Sequence, residues 1–497
     1  MARPWRIAAL LALVCACAAA LAAGCSARKT LVPRTPPETS LFVQGPIDTL
    51  TGQPAPVDTV NHVVHLYWFG SDPDGFVVRY EYRFVFEGED ADTVHWNGIL
   101  DTDHVFTIPT PSGYAMPKFE VRSVDNDSLR DDTPAAQDFQ FGNLPPAVAI
   151  TDSPPVPDTT FASVTVRWSA TDPDGDGAQV RIRAWLDGRQ AQAHELPPGT
   201  TTFTFPTADF ETAPGMVVPG SRSLFLQAID DGGRASTPVS ATWYVRSAEG
   251  AKLLLIDDLP STVTNAATFD AFYLTTIDGR FPGQYRVLDL ERSNPFRSAL
   301  DLEQTLKLFP SVMWYRENNP SFSTLLHDYQ SAVEAYLRDG PNSLYLNGLG
   351  LFEGENVCGP TSATNCGYMT VGFAQEFCGT DYFIKSPIDG RVDSTVFWTC
   401  ANSRVLSPVY ADSLRSRSYN GLRGFGVRSA AYAAVVAPPG SLSQPHPYDV
   451  PIGVRVPQPT GGRLIVFSFP LRGFDGFGSH TRVLQKVLDD LILGITP

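Results

Sequence analysis

Hydrophobic and polar residues alternate with a period of two through Val77-Val78-Arg79-Tyr80-Glu81-Tyr82-Arg83-Phe84, and again through Val180-Arg181-Ile182-Arg183-Ala184-Trp185. That period sends successive side chains to opposite faces and predicts strands with one buried face. Both stretches sit inside a repeat. His65-Leu66-Tyr67-Trp68-Phe69-Gly70-Ser71-Asp72-Pro73-Asp74-Gly75 is matched by Val164-Thr165-Val166-Arg167-Trp168-Ser169-Ala170-Thr171-Asp172-Pro173-Asp174-Gly175, which sets Trp68 against Trp168 and Asp72 against Asp172. The copies also close alike, on Phe119-Glu120-Val121-Arg122-Ser123-Val124-Asp125-Asn126-Asp127 and on Leu224-Phe225-Leu226-Gln227-Ala228-Ile229-Asp230-Asp231-Gly232. With Pro, Gly and Asp turns at short intervals, this pattern predicts two all-β sandwiches, over residues 41–144 and 145–248, that meet at Leu144-Pro145-Pro146.

Near residue 250 the texture changes. Lys252-Leu253-Leu254-Leu255-Ile256-Asp257-Asp258 is a continuous apolar run ending in acids, as expected of a strand buried on both faces. Residues 284–290, 311–315, 343–347 and 462–470 read the same way. Thr324 to Arg338 carries Leu325, Tyr329, Ala332 and Tyr336 at helical spacing, and Thr481 to Leu493 is a second amphipathic helix. Strands alternating with helices predict an α/β domain with a largely parallel sheet over 249–497, interrupted by a Cys-containing insertion at 352–402.

Composition narrows the setting. Hydrophobic residues make up 43% of the chain, enough for packed cores, and 40 Gly with 42 Pro agree with short strands and many turns. Lys and Arg number 37 against 53 Asp and Glu, a formal net charge of −16. Such a surface repels phosphate backbones and excludes nucleic acid as a partner. At the N-terminus, Arg3 and Arg6 precede an uncharged apolar run, Ile7 to Ala23, closed by small residues before Cys25. This is a secretory signal, residues 1–24, rather than a fold element. Residues 25–40 are polar and Pro-rich and read as a flexible tether. In an exported chain, Cys358, Cys366, Cys378 and Cys400 are an even, clustered set that reads as two disulfides. Cys358–Cys366 with Cys378–Cys400 is the simplest of the three connectivities, and a four-Cys zinc site is the alternative.

Three stretches resemble known families. Leu21-Ala22-Ala23-Gly24-Cys25-Ser26 resembles a bacterial lipobox. The resemblance implies cleavage before Cys25, acylation of its thiol, and a membrane partner reached through the lipid; Ser26 implies the outer membrane of a bacterial cell envelope. The Trp-x3-Asp-Pro-Asp-Gly repeats are similar to fibronectin type III, PKD and related immunoglobulin-like modules of bacterial surface proteins. Residues 249–497 resemble the three-layer, flavodoxin-like domain of the class I glutamine amidotransferase superfamily, through the opening Leu253-Leu254-Leu255-Ile256-Asp257-Asp258, the helix–strand–turn from Tyr336 to Gly350, and Val466 to Phe474 before the last helix.

That last resemblance implies a Cys nucleophile on the turn after a central strand and a His base near the end. The matching turn offers Asn347, which cannot form a thioester. His480 follows the last strand without an evident nucleophile beside it in the sequence. Asp257 and Asp258 end the first strand, where open α/β sheets bind ligands; they could hold a cation, or cap the next helix through Ser261 or Thr262. Asp172, Asp174 and Asp176 stand at alternate positions and suit Ca2+, while the same Asp-Pro-Asp-Gly is a tight turn in its own right. No other cofactor is implied. Nucleophile-elbow, zinc-helix, Walker and dinucleotide-binding motifs are not found in the sequence. The expectation is a lipid-anchored, non-catalytic protein that binds a protein or glycan ligand or serves envelope architecture. The alternative is an extracytoplasmic hydrolase of a glycan or peptide polymer that works near Asp257, Asp258 or His480.

Overall fold

A computed structural model of the chain describes residues 34–43, 60–175, 177–292, 294–317, 325–348, 351, 369–384, 398–400, 404–407, 409–410, 412–415, 419–422, 424–437, 449–472 and 479–495. Contacts divide these into two compact units. One comprises the chain up to Pro145 together with Asp172–Asp176 and Asp230–Ala235; the other comprises Pro146–Thr171, Gly177–Ile229 and everything from Ser236 onward.

The first sandwich is built from β1 (Glu38–Val43), β2 (Val63–Ser71), β3 (Val77–Val85), β4 (Asn97–Ile99), β5 (Asp103–Thr107), β6 (Lys118–Asp125) and β7 (Ala135–Asp138). Antiparallel pairing gives one sheet in the order β1-β2-β5 and another in the order β4-β3-β6-β7. The alternation read from the sequence decides what is buried: Val64, Leu66 and Trp68 point inward from β2 and meet Tyr80, Phe106, Phe119 and Val121.

The second copy has the same plan. Its strands are β8 (Ala147–Ile150), β9 (Val164–Thr171), β10 (Arg181–Leu186), β11 (His194–Leu196), β12 (Thr202–Phe205), β13 (Gly220–Ile229) and β14 (Val239–Val245). They pair as β8-β9-β12 and β11-β10-β13-β14. The repeat extends to single hydrogen bonds. Leu129 N–H donates to Asp125 Oδ1 at 2.8 Å, and Arg234 N–H donates to Asp230 Oδ1 at 2.7 Å. Thr35 N–H reaches the Asp74 carboxylate at 3.3 Å, and Leu144 N–H reaches Asp174 at 2.7 Å.

The α/β body begins with β15 (Leu253–Asp257) and continues through α1 (Ala266–Arg280), β16 (Tyr285–Asp289), α2 (Ala299–Lys307), β17 (Ser311–Glu317), α3 (Gln330–Arg338), β18 (Ser343–Gly348) and α4 (Val371–Phe377). Strands β19 (Arg404–Ser407), β20 (Asp412–Arg415), β21 (Ala433–Ala437), β22 (Val450–Pro457) and β23 (Arg463–Phe467) follow, and α5 (Ser479–Leu493) closes it. One nine-stranded sheet runs β16-β15-β17-β18-β23-β22-β21-β19-β20. Its first five strands are parallel and the remainder pair antiparallel. Along β15, Leu253 and Leu255 enter the core beneath α1 and α5, while Leu254 and Ile256 enter the core beneath α2, α3 and α4. Burial on both faces is why this strand reads as an unbroken apolar run.

Two expectations are corrected. The helix foreseen over 324–338 is two helices among the described residues, Leu325–Asp328 and α3, because Tyr329 leaves helical geometry at φ −117°. Cys378 is a free thiol, so the Cys378–Cys400 bridge is not formed. Its side chain fills the apolar core with Phe373, Phe377 and Val456, where a thiol packs as a small hydrophobe. Cys358, Cys366, Cys25 and the leader lie outside the described residues.

Candidate functional site

The five parallel strands all point their carboxyl ends the same way, so the acids that end β15, the end of β18 and the start of α5 come to one edge of the sheet. Asp257 and Asp258 behave differently although adjacent. Asp258 is neutralised by the buried Arg316, whose Nε lies 3.3 Å from Asp258 Oδ2, and Trp314 Nε1 donates to the same oxygen at 3.2 Å. Neither acid caps through Ser261, whose N–H and hydroxyl both go to Glu291.

Asp257 has no cation beside it among its described contacts. Leu259 N–H donates to its Oδ1 at 3.0 Å. Across from it stands Asp270 of α1, to which Tyr315 Oη donates at 3.1 Å, and the two carboxyls act on one another electrostatically. Burial, then the charges of Asp270 and Asp289, push the Asp257 carboxyl up to about 7, against the opposing hydrogen bonds of Tyr315 and Leu259 N–H. Asp270 is raised as well, first by burial. Asp257 and Asp270 thus form a pair of electrostatically coupled carboxyls, an arrangement in which Asp257 can give or take a proton near neutral pH.

Glu317 ends β17 fully buried, with φ at +49° in the sparsely used left-handed region. Its carboxylate accepts from Tyr273 Oη and, at 3.3 Å, from Arg472 N–H. Asn347 is also fully buried, and its Nδ2 donates to Phe469 O at 2.9 Å. The next residue, Gly348, has φ +151°, and a Cβ there would stand 2.9 Å from the Arg316 Cβ, so the turn needs a glycine. His480 opens α5 with its ring 5.0 Å from that of Phe272. Of the residues singled out in the sequence, Asp257, Asp258 and Asn347 lie at or near the carboxyl ends of β15 and β18 and His480 opens α5; Asp270, Tyr315 and Glu317 stand with them at this edge. The sequence held only a faint signal for the additions: Asp270 is one polar position on a helix, and Tyr315 and Glu317 sit in a strand that reads as core.

The Asp-Pro-Asp-Gly turn is formed as a turn, with Asp174 N–H 3.4 Å from Asp172 Oδ1. Asp176 lies outside the described residues. Among the described residues one group of His, Cys, Asp and Glu converges closely enough for a metal ion: His62, Asp172 and Asp231, with one ligand atom from each within 4.8 Å of the others.

No protein-family model matches the chain, and no curated protein matches it. Among solved structures it is similar to the fibronectin(III)-like modules of Clostridium thermocellum CbhA, at 17% identity over 42% of this chain and 94% of that one, with a TM-score of 0.18. It is also similar to the FN1-FN3 domains of chicken CNTN1, at 11% identity over 43% and 66% of the two chains and a TM-score of 0.18. The two fibronectin type III domain segment of chicken tenascin follows at 13% identity, 42% and 100% coverage, and a TM-score of 0.17.

Proposed function

We propose that this chain is a bacterial cell-envelope lipoprotein that displays a degenerate amidotransferase-like domain for binding rather than turnover. Two fibronectin type III-like modules act as spacers between the lipid on Cys25 and the α/β body. The parallel order β16-β15-β17-β18-β23 has the 2-1-3-4-5 pattern of flavodoxin-like folds, which supports reading the body as a relative of the class I glutamine amidotransferases. One observation carries the proposal. The position where that superfamily keeps its thiol holds Asn347, whose Nδ2 donates to Phe469 O in the buried interior. The ligand of such a domain is a protein or a glycan of the envelope.

The Asp257–Asp270 pair favours a second reading, an extracytoplasmic hydrolase using a carboxyl held protonated near neutral pH. The mature chain, assayed on a panel of peptidoglycan fragments, polysaccharides and peptides, is expected to bind saturably without product formation. Turnover that is lost in Asp257→Asn and Asp270→Asn would replace the binding reading with the hydrolase. Anchoring is tested separately: Cys25→Ser is expected to abolish fatty-acid labelling, and persistent labelling would contradict it.

A further inference from the structure

We propose that His62, Asp172 and Asp231 bind a divalent transition-metal cation of the Zn2+ type. All three belong to the first compact unit, which takes in Asp172–Asp176 and Asp230–Ala235.

The observations begin with His62. Its side chain is wholly buried, with Nε2 at 2.6 Å from Asp231 Oδ1 and, among the described residues, no hydrogen-bond partner for Nδ1. The ring is held by close approach on two sides. A Cβ on Gly175 would lie 3.3 Å from His62 Cε1 and 2.2 Å from Asp172 Oδ2, and a Cβ on Gly232 would lie 3.1 Å from His62 Cδ2. Nε2 sits between those two carbons, so this edge of the ring faces the two acidic turns.

Those turns bring several carboxylates close together, with some of their oxygens buried without a hydrogen bond. Asp172 Oδ2 is buried without a hydrogen-bond partner, and so is Oδ2 of Asp230, a residue with no exposed surface. Asp230 and Asp174 both act on the Asp172 carboxyl as like charges. No Lys or Arg ion pair reaches Asp172, Asp230 or Asp231 among the described residues, and the one partner of Asp231 is His62, which is neutral unless protonated. A dication between one neutral imidazole and two carboxylates balances the charge of its own three ligands and lessens the repulsion from Asp174 and Asp230.

The first repeat supplies the contrast. Its counterpart of Asp231 is Asn126, whose Oδ1 simply accepts from Phe76 N–H at 2.8 Å. The same turn is thus built with an uncharged residue where no imidazole is brought to it. The donor set also chooses the ion. Imidazole with carboxylates suits Zn2+ and its neighbours, whereas Ca2+ takes six to eight oxygens. This is a different ion on a different triad from the calcium that Asp172, Asp174 and Asp176 would suit.

The test uses the full mature chain, stripped with a chelator and then titrated with Zn2+ alone. A rise in thermal midpoint with Zn2+, together with one retained ion, is expected. Asp231→Asn, which copies Asn126, and His62→Gln should each lose that ion and the rise; Asp231→Asn should melt like the parent in chelator. Co2+ substitution separates this nitrogen–oxygen site from a cysteine site elsewhere, since thiolate ligation adds a sulfur charge-transfer band. An ion retained unchanged in both variants, no rise with Zn2+, or a rise with Ca2+ that His62→Gln leaves intact would overturn the assignment.

Discussion

Arg297 and Asp152 close on one another at 3.0 Å between the loop that leads into α2 and the loop after β8. The same guanidinium donates to Pro155 O and Pro154 O, each at 2.7 Å, and Arg167 Nη2 returns a bond to Arg297 O. Ser298, the N-cap of α2, meets Thr165 at 2.9 Å and Thr204 at 3.0 Å, and Phe161 packs edge-on against Phe309. These contacts explain why the second sandwich and the α/β body form one compact unit. Burial holds the Arg297 guanidinium below its usual range, so its charge is expensive to leave unpaired. Arg297→Ala is expected to lower the stability of this unit by about 2–3 kcal/mol, and Asp152→Asn by about 1 kcal/mol, because the Pro carbonyl bonds survive the second change. Urea unfolding of both variants checks this; equal midpoints for Arg297→Ala and the parent would refute it.

Glu81 makes the opposite kind of pair, a carboxylate served by three arginines. Burial works to raise its carboxyl, but hydrogen bonds from Arg130, Arg122 and Arg79 win and bring it down to about 2 from 4.5. A carboxyl lowered in the folded state contributes stability above the unfolded value, and that contribution is lost as pH falls through the folded one. The first sandwich should therefore weaken between pH 4.5 and about 2 through this group. Glu81→Gln should cost about 2–3 kcal/mol at neutral pH and nothing below the window. Denaturation of the two proteins at several pH values reads the difference directly.

What the sequence made legible follows from which forces are local. The apolar run Leu253–Ile256 and the alternation around Trp68 and Trp168 announce burial residue by residue, and the strands formed where they were expected. The edge of the parallel sheet was legible at Asp257 and Asn347 because strand ends are visible in the pattern. Asp270 was not, since a helix pattern marks which side is apolar but not which acid will meet a particular carboxyl. His62 and Asp231 stand 169 residues apart, and only the folding of the first compact unit brings them together. The cysteines misled for the same reason: an even count says nothing of distance, and Cys378 ended inside an apolar core.

Cys378 gives a prediction of its own. Burial pushes the thiol well above its ordinary range, so the reactive thiolate is suppressed in the folded protein. A water-soluble alkylating agent should leave Cys378 unmodified under native conditions and modify it fully in denaturant without any reductant. Peptide mapping by mass spectrometry distinguishes the two. A Cys378 that stays blocked in denaturant until reduction would restore the disulfide and contradict the free thiol.

The last prediction concerns the carboxyl that is raised instead of lowered. Asp257 titrates at about 7 in the folded chain against 3.8 when unfolded, so the folded state holds the extra proton between those values. A group raised in this way loses stability for the protein as pH climbs through that window, because above it the buried carboxylate must coexist with Asp270. Asp257→Asn keeps an oxygen for Leu259 N–H and removes the charge. The variant should gain about 2 kcal/mol over the parent at about pH 8 and match it at about pH 4, where the parent carboxyl is already protonated. Thermal melts across that range test the sign as well as the size. A variant less stable than the parent at the alkaline end would mean that Asp257 is held ionised by a partner, and burial beside Asp270 would not be what governs its proton.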